Sequence, residues 1–150
     1  GTLSNGQRTI AVKRLEKVVA EGEGEEEFRN EMRSIGRTHH KNLVRLLGYC
    51  HDGSNQLLVY EYMSNGTLAD YLFKSQVKPN WKERIKIALN IARGILYLHL
   101  ECVTQIIHRD INPNNILMDE HGRAKIADFG LAKLWMPDHS KTYTGVSGTR

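Results

Sequence analysis

The feature that most restricts the fold is a long helical pattern that begins at Pro79 and is apolar on two sides. Apolar residues at helical spacing form one stripe, and a second stripe runs along another side of the same segment. A helix with two apolar sides must be covered on both, so the pattern predicts a buried helix that runs to about Cys102. The first stripe contains Trp81, Ile85, Ala88, Leu89, Ala92, Ile95 and Leu96, and the second contains Ile87, Ile91 and Leu98.

The residues before Ser64 have a different pattern, in which strands predominate. Arg8 to Leu15 alternate between two faces, as a strand does, and a short amphipathic helix with acidic residues at its start follows. The change from a strand-rich to a helix-rich half near Ser64 predicts an α+β protein with two lobes. The helix covers Glu23 to Gly36, and two further strand-like runs cover Asn42 to Cys50 and Asn55 to Met63.

Composition excludes several classes of protein. The 150 residues include two cysteines without CxxC spacing and seven histidines without metal-ligand spacing, so neither a disulfide framework nor a zinc site is expected. The net charge is +4, but Lys and Arg are scattered among 17 acids, which disfavours a nucleic-acid-binding module. No apolar run approaches the roughly 20 residues of a membrane span. The chain opens on Gly1 without a methionine and stops in a polar loop at Arg150, so we expect that both ends are truncated.

Three short motifs carry residues suited to phosphate and metal chemistry. "AVK" ends at Lys13 on the first strand, "HRDINPNN" places Asp110 and Asn115 five residues apart, and "DFG" begins at Asp128. The four fixed positions of HRDxxxxN occur by chance in about one chain of this length in a thousand. Aspartate and asparagine oxygens are hard ligands that Mg²⁺ prefers, although both residue types also favour turns. His108 of the same motif is expected to brace the loop by packing rather than to act as an acid or base.

In their order and spacing these motifs resemble those of the eukaryotic protein kinases. Longer stretches such as "EFRNEMRSIGRTHHKNLVRLLGYC", "LLVYEYMSNGTLADYLF" and "ADFGLAKLW" are similar to plant receptor-like serine/threonine kinases, most of all the G-type lectin S-domain group. The resemblance implies a two-lobed protein kinase-like fold that is truncated at both ends. Residues 1–63 would form the β-rich lobe, and residues 64–150 would begin the helical lobe and extend into the activation segment.

The resemblance implies catalytic roles for five residues. Lys13 would pair the α- and β-phosphates of ATP, and Glu31 would hold that lysine in place. Asp110 would accept the proton of a Ser or Thr hydroxyl of a protein substrate, while Asn115 and Asp128 would bind Mg²⁺. Taken alone, Lys13 and Glu31 would be interpreted as exposed surface residues, because most Lys and Glu side chains are exposed. The other motifs together favour the catalytic interpretation over the surface one.

The nucleotide site is also implied by the resemblance. The backbone of Glu61 and Met63 would contact the adenine, Tyr60 would lie behind it as the gatekeeper, and Asp70 would lie near the ribose. Ala11 shares a strand face with Lys13 and is small, so the lysine can extend along a nucleotide. Core packing is the simpler explanation for Tyr60, and it is compatible with the gatekeeper role.

Arg109, next to Asp110, resembles the catalytic-loop arginine that binds a phosphate on the activation segment. Thr142 and Thr144 are the preferred sites of autophosphorylation, although either can simply be a loop hydroxyl. Pro113 and the pair Gly148–Thr149 favour the serine/threonine class over the tyrosine class.

Asn112 departs from the family pattern, because related serine/threonine kinases have at that position a lysine that contacts the transferred phosphate. A neutral amide cannot supply that charge, so a pseudokinase or regulatory scaffold with weak or no turnover is the alternative function. The resemblance further implies a full-length plasma-membrane receptor whose kinase domain faces the cytoplasm, with membrane contact only through segments outside this chain.

Overall fold

The computed structural model describes residues 1–2, 6, 8–15, 23–53 and 55–136. The first lobe contains an antiparallel sheet of three strands in the order β1-β3-β2. Strand β1 spans Ile10–Leu15, β2 spans Leu46–Asp52 and β3 spans Asn55–Glu61. Strand β3 is central and pairs with both neighbours along its length. The predicted order of strand, helix, strand and strand is confirmed.

Four shorter strands follow in the second lobe and hold the motif-bearing loops in place. They are β4 (Gln105–Ile107), β5 (Ile116–Met118), β6 (Ala124–Ile126) and β7 (Lys133–Trp135). Strand β4 pairs with β7 and β5 pairs with β6, both antiparallel. The loop from β4 to β5 carries Asp110 and Asn115, and the turn after β6 carries Asp128. The two strand pairs therefore fix both ends of the catalytic loop.

Helix α1 spans Glu23–Ser34 and continues as a tighter turn over Ile35–Arg37. Phe28 on its inner side packs with apolar residues of β1 and β3 to form the small core of the first lobe. Glu31 follows Phe28 by three residues and lies on the same side of the helix. Its side chain is 0% exposed, so this lobe buries a carboxylate next to its apolar core.

The segment before β2 connects the two lobes. Strand β2 begins at Leu46, later than predicted from Asn42, because the intervening residues pair with β6 instead. The Ile126 amide donates to the Asn42 carbonyl at 2.9 Å, and the Val44 amide donates to the Ile126 carbonyl at 2.9 Å. These bonds attach the first lobe to the strand that leads into Asp128.

Helix α2 spans Trp81–Leu96, and a wider helical turn over Tyr97–Glu101 extends it. It begins just after Pro79 because Asn80 and Glu83 cap it reciprocally, each accepting the other's backbone N–H. A short helical turn over Asp70–Lys74 precedes it. None of the helices in the described part of the chain is long and apolar enough to span a membrane.

Only one side of α2 is buried by the described residues. Gly94 on that side approaches β6 so closely that an added Cβ would lie 2.9 Å from Ile126 Cδ1 and 3.0 Å from the Asn42 carbonyl. The described residues thus largely cover the second predicted stripe and leave most of the first stripe exposed. Helical spacing records that a side is apolar but not whether another element covers it. The exposed residues of the first stripe include Trp81, Ile85, Leu89 and Leu96.

Candidate active site

A cavity of about 380 Å³ lies between the two lobes, and we call it the cleft. Its volume falls in the usual range for small-molecule sites. The first lobe lines it with residues of β1, α1 and β3, and the second lobe lines it with residues of the catalytic loop and of the turn after β6. The structure brings together in its lining most of the residues singled out in the sequence, namely Ala11, Lys13, Glu31, Tyr60, Glu61, Met63, Asn115 and Asp128.

Asp70 does not line the cleft. It borders a neighbouring cavity of about 710 Å³, where its carboxylate accepts a hydrogen bond from Lys74 Nζ at 2.8 Å. The hydrogen bond to Lys74 holds the pKa of Asp70 below its ordinary value. The larger cavity contains none of the three motifs, so the cleft is the better candidate for the active site.

Lys13 is the centre of the charged cluster in the cleft. Its Nζ donates to Glu27 Oε1 at 2.6 Å, to Glu31 Oε1 at 2.6 Å and to Asp128 Oδ1 at 3.2 Å. Partial burial alone would lower the pKa of Lys13, but the hydrogen bonds to the two glutamates and the surrounding negative charge outweigh it. The pKa of Lys13 is therefore held well above its ordinary value, and the side chain is a permanent cation.

Glu31 is the buried partner of that cation. Burial raises the pKa of Glu31 to about 7, against the opposing effect of the hydrogen bond from Lys13. Within the described part of the chain, Glu31 Oε2 has no hydrogen-bond partner, and neither has the buried hydroxyl of Tyr60. The back of the cleft thus contains one acceptor and one donor that are not yet satisfied.

His108 anchors the catalytic loop, as predicted. Its ring is 3% exposed, lies edge-on to Phe129, and has Nε2 at 2.7 Å from the Ala127 carbonyl. The other ring nitrogen, Nδ1, accepts the backbone N–H of Asp110 at 3.1 Å. Arg109, which lies between His108 and Asp110 in the sequence, has a φ of 73°, a left-handed conformation that costs energy in a non-glycine residue. The buried histidine offsets this cost, because its ring holds the backbone directly after the strained position and connects it to Ala127.

Two side-chain amides hold the carboxylate of Asp110. Asn115 Nδ2 donates to Asp110 Oδ2 at 2.9 Å, and Asn112 Nδ2 donates to Asp110 Oδ1 at 3.1 Å. Asn112 also accepts the N–H of Asn114 at 2.9 Å and so begins the helical turn over Pro113–Asn115. Turn formation, the alternative considered from the sequence, therefore applies to Asn112, whereas Asp110 is oriented by both amides.

Asp128 lies opposite this loop with a φ of 58°. Its Oδ1 accepts Lys13 Nζ and also the Gly130 amide at 3.3 Å. Burial alone would raise the pKa of Asp128, but the charge and hydrogen bond of Lys13 outweigh it and hold the pKa below its ordinary value. Asn115 uses its amide nitrogen toward Asp110, which leaves its amide oxygen as an acceptor. Asn115 and Asp128 thus offer hard oxygen ligands of the kind that suit Mg²⁺.

Two residues on α1 that were not identified from the sequence contact residues at the cleft. Glu27 precedes Glu31 by one helical turn and contacts Lys13, and an added Cβ at Gly130 would lie 2.5 Å from Glu27 Cγ. Asn30 Nδ2 donates to the Gly130 carbonyl at 3.0 Å. The spacing of Glu27 and Glu31 was the available signal, since residues four apart share a helix face.

A further missed contact lies at the rim of the cleft. Lys125 on β6 donates through Nζ to Glu61 Oε1 at 2.9 Å, and the Arg45 amide donates to the same oxygen at 2.9 Å. Both side chains of this ion pair are largely buried. The pair connects the end of β3 to β6, the strand that precedes Asp128.

Arg109 lines a separate cavity of about 360 Å³ next to the cleft. Arg33 of α1 and Lys133 of β7 line the same cavity, together with the acidic side chain of Glu26. Three cations and one carboxylate make this a net positive surface at the place where the chain leaves β7. The predicted phosphorylation sites Thr142 and Thr144, like the pair Gly148–Thr149, lie outside the described residues.

Comparison with known proteins gives a consistent result. The family described as protein tyrosine and serine/threonine kinase matches residues 1–149. The chain is 57% identical over 141 residues to the G-type lectin S-receptor-like serine/threonine-protein kinase LECRK4 of Oryza sativa subsp. indica, covering 94% of the chain and 17% of that protein. It is 51% identical over 142 residues to RLK1 of the same description from Arabidopsis thaliana, covering 95% of the chain and 17% of that protein. The chain thus spans less than a fifth of the length of these relatives.

Proposed function

Because the chain belongs to the protein tyrosine and serine/threonine kinase family, we propose that its cleft transfers the γ-phosphoryl group of ATP to Ser or Thr hydroxyls of proteins. The predicted two-lobed kinase fold and the resemblance to plant receptor-like kinases are confirmed by the family match and the relatives. The observation that carries the proposal is the convergence of Lys13, Glu31 and Asp128 within hydrogen-bonding distance on one side of the cleft. Residues of two separate motifs, AVK and DFG, meet there with a buried carboxylate of α1.

Lys13 is proposed to bind the α- and β-phosphates. Glu31 fixes the lysine, because its own side chain is buried and its Oε1 lies 2.6 Å from Nζ. Asn115 and Asp128 would hold Mg²⁺, which when bound neutralises charge that develops on the phosphates. Asp128 is ionised for this task, since Lys13 holds its pKa low.

Asp110 is proposed to act as the base. It would accept the proton of the substrate hydroxyl as the oxygen attacks the γ-phosphorus, and the ADP oxygen leaves on the opposite side. The amides of Asn112 and Asn115 hold both carboxylate oxygens, so the side chain is oriented before substrate binds. Each carboxylate oxygen can still accept a second hydrogen bond.

The adenine is proposed to lie between Ala11 and the connection after β3. Glu61 and Met63 line the cleft there and would contact the adenine through their backbone. Tyr60 also lines the cleft, its hydroxyl is buried, and it is proposed as the gatekeeper. Asp70 is proposed to contact the ribose, and its carboxylate accepts Lys74 Nζ at 2.8 Å through Oδ1 alone.

Arg109 is proposed to bind a phosphate on the activation segment, with Thr142 or Thr144 as the modified residue. Arg33 and Lys133 strengthen the proposal, because they border the same cavity and bring two more cations to it. Since Arg33 belongs to α1, a phosphate bound there would also fix the helix that carries Glu31.

The position of Asn112 favours a second candidate, a regulatory scaffold that binds nucleotide and transfers phosphate slowly or not at all. Its amide is committed to Asp110 and carries no charge, so the transferred phosphate lacks one cation.

The relatives are named receptor-like kinases, and we propose for the natural protein a membrane receptor whose kinase domain faces the cytoplasm.

The test is phosphotransfer by the intact natural protein from γ-labelled ATP to a protein with Ser and Thr. Wild type is expected to transfer label and Lys13→Met to transfer none, with Lys82→Met as a control because Lys82 is exposed on α2 and lies outside the cleft. Equal labelling by Lys13→Met and wild type would exclude the proposed site. Nucleotide binding without any transfer by wild type would favour the scaffold.

A further inference from the structure

The ammonium group of Lys13 is fully engaged in the ligand-free cleft. Its three N–H donors face three carboxylates, those of Glu27, Glu31 and Asp128. A lysine that binds two phosphates cannot keep all three contacts. Nucleotide binding must therefore displace some of these carboxylates from Nζ.

The three carboxylates differ in how easily they can leave. Glu31 is 0% exposed, so its carboxylate has no path to water. Asp128 makes the longest contact, at 3.2 Å, and has an alternative partner in the Gly130 amide. Glu27 is 37% exposed and, among the described residues, makes no other hydrogen bond. It can turn toward solvent without leaving a buried group unsatisfied.

We propose that Glu27 is a positioning residue that holds Lys13 in the ligand-free cleft and yields its place to a phosphate oxygen when nucleotide binds. The proposal rests on the proposed function, because it takes a nucleoside triphosphate as the ligand of Lys13. Glu27 thus competes with the phosphates for one ammonium group, while Glu31 remains the permanent partner.

The exchange leaves helix α1 in place. Asn30 donates to the Gly130 carbonyl at 3.0 Å and does not depend on the Glu27 carboxylate. An added Cβ at Gly130 would lie only 2.5 Å from Glu27 Cγ. Because Gly130 has no side chain, the aliphatic part of Glu27 has room there to change its rotamer. The movement is a change of side-chain rotamer and requires no helix displacement.

If Glu27 competes with the phosphates for Lys13, removing its charge should raise the affinity for Mg²⁺–ATP. Glu27→Gln keeps the shape of the side chain but removes a negative charge from the phosphate site and weakens its hold on Lys13. Exposed or half-exposed ion pairs are modest in strength, so we expect Mg²⁺–ATP to bind roughly two- to fivefold more tightly.

The experiment is a direct titration of the intact natural protein with Mg²⁺–ATP, without turnover, for wild type and Glu27→Gln. Glu25→Gln is the matched control, because it makes the same charge change on the same helix and Glu25 pairs with Arg29 outside the cleft. Tighter binding by Glu27→Gln, with unchanged binding by Glu25→Gln and a smaller difference at high salt, supports the proposal.

Several results would overturn it. Equal or weaker ATP binding by Glu27→Gln means that Glu27 does not compete with phosphate. The oxygens of Glu27, Glu31 and Asp128 lie within 4.8 Å of one another, so a rise in the Mg²⁺ concentration needed for binding would identify Glu27 as a metal ligand instead. If wild type binds no nucleotide at all, the proposed function itself fails, and that outcome is distinct from the others.

Discussion

The side-chain amide of Asn112 donates to Asp110 Oδ1 at 3.1 Å. Asn112, at the position where the resemblance to serine/threonine kinases led us to expect a lysine, therefore takes part in orienting the aspartate of this loop. It also caps the turn that carries Asn115, through the Asn114 amide at 2.9 Å. The amide provides geometry to the loop but no positive charge to a phosphate.

The first prediction concerns this position. Asn112→Lys is expected to raise kcat by about tenfold, with little change in ATP affinity. A charge-assisted contact to the transferred phosphate contributes about 1.5–3 kcal/mol, and loss of the neutral bonds to the loop offsets about 1 kcal/mol of it. Asn112→Ala, which removes the bonds without adding charge, is expected to lower kcat. An unchanged kcat in Asn112→Lys would count against a role for charge at this position.

The second prediction concerns pH. Glu31 must be ionised to hold Lys13, and burial raises its pKa to about 7, so protonation disrupts the pair as the pH falls through that value. Phosphotransfer is therefore expected to decline from pH 8 to pH 6. For stability the sign is opposite: a carboxyl whose pKa is raised in the folded state favours folding at low pH, and this contribution is lost as the pH rises through about 7.

The measurement is the pH profile of phosphotransfer in wild type and Glu31→Gln. Glu31→Gln is expected to be less active at pH 8 and to lack the decline near pH 7. A profile of the same shape in both proteins would assign the decline to another group.

The third prediction concerns stability at the contact between α2 and β6. Gly94→Ala is expected to destabilise the protein by about 1–3 kcal/mol, because the new methyl group would meet the Asn42 carbonyl at 3.0 Å and Ile126 at 2.9 Å. Gly48→Ala is the matched control, since nothing lies within 4 Å of its added Cβ. Denaturant unfolding measures both. Equal effects of the two substitutions would contradict the close approach of α2 to β6.

The fourth prediction concerns the cavity beside Arg109. Treatment with a phosphatase is expected to lower phosphotransfer by the wild-type protein, because a phosphate bound by Arg109, Arg33 and Lys133 fixes α1. Arg109→Gln is expected to have the lower activity whether or not it is phosphorylated. If dephosphorylation leaves wild-type activity unchanged, the cavity has no regulatory role.

The sequence was most informative where local pattern and motif coincided. Alternation predicted β1 and β3, and the motifs identified Lys13 and Asp128, which the structure brings to one cavity although 115 positions separate them. Glu27 was not identified, because it lies in a run of acids that reads as a solvated helix end. The pair of Glu61 and Lys125 was not identified either, since neither residue belongs to a periodic pattern that reports a distant partner.

The short strands and the exposed side of α2 show a second limit. Strands of three residues, such as β4 and β7, have too few positions to display an alternation, and their pairing depends on the loops that bring them together. The apolar stripe of α2 that contains Leu89 was read correctly as apolar, but burial requires a partner that local spacing does not encode.

The central claim is that Asp110 is the base of a phosphoryl-transfer site formed by these two lobes. The most direct test compares Asp110→Asn with wild type in the intact natural protein, measuring both Mg²⁺–ATP binding and phosphotransfer to Ser and Thr. In Asp110→Asn, transfer is expected to fall by about 10²–10⁴-fold while the dissociation constant for Mg²⁺–ATP changes by less than about threefold. Transfer by Asp110→Asn at the wild-type rate would contradict it.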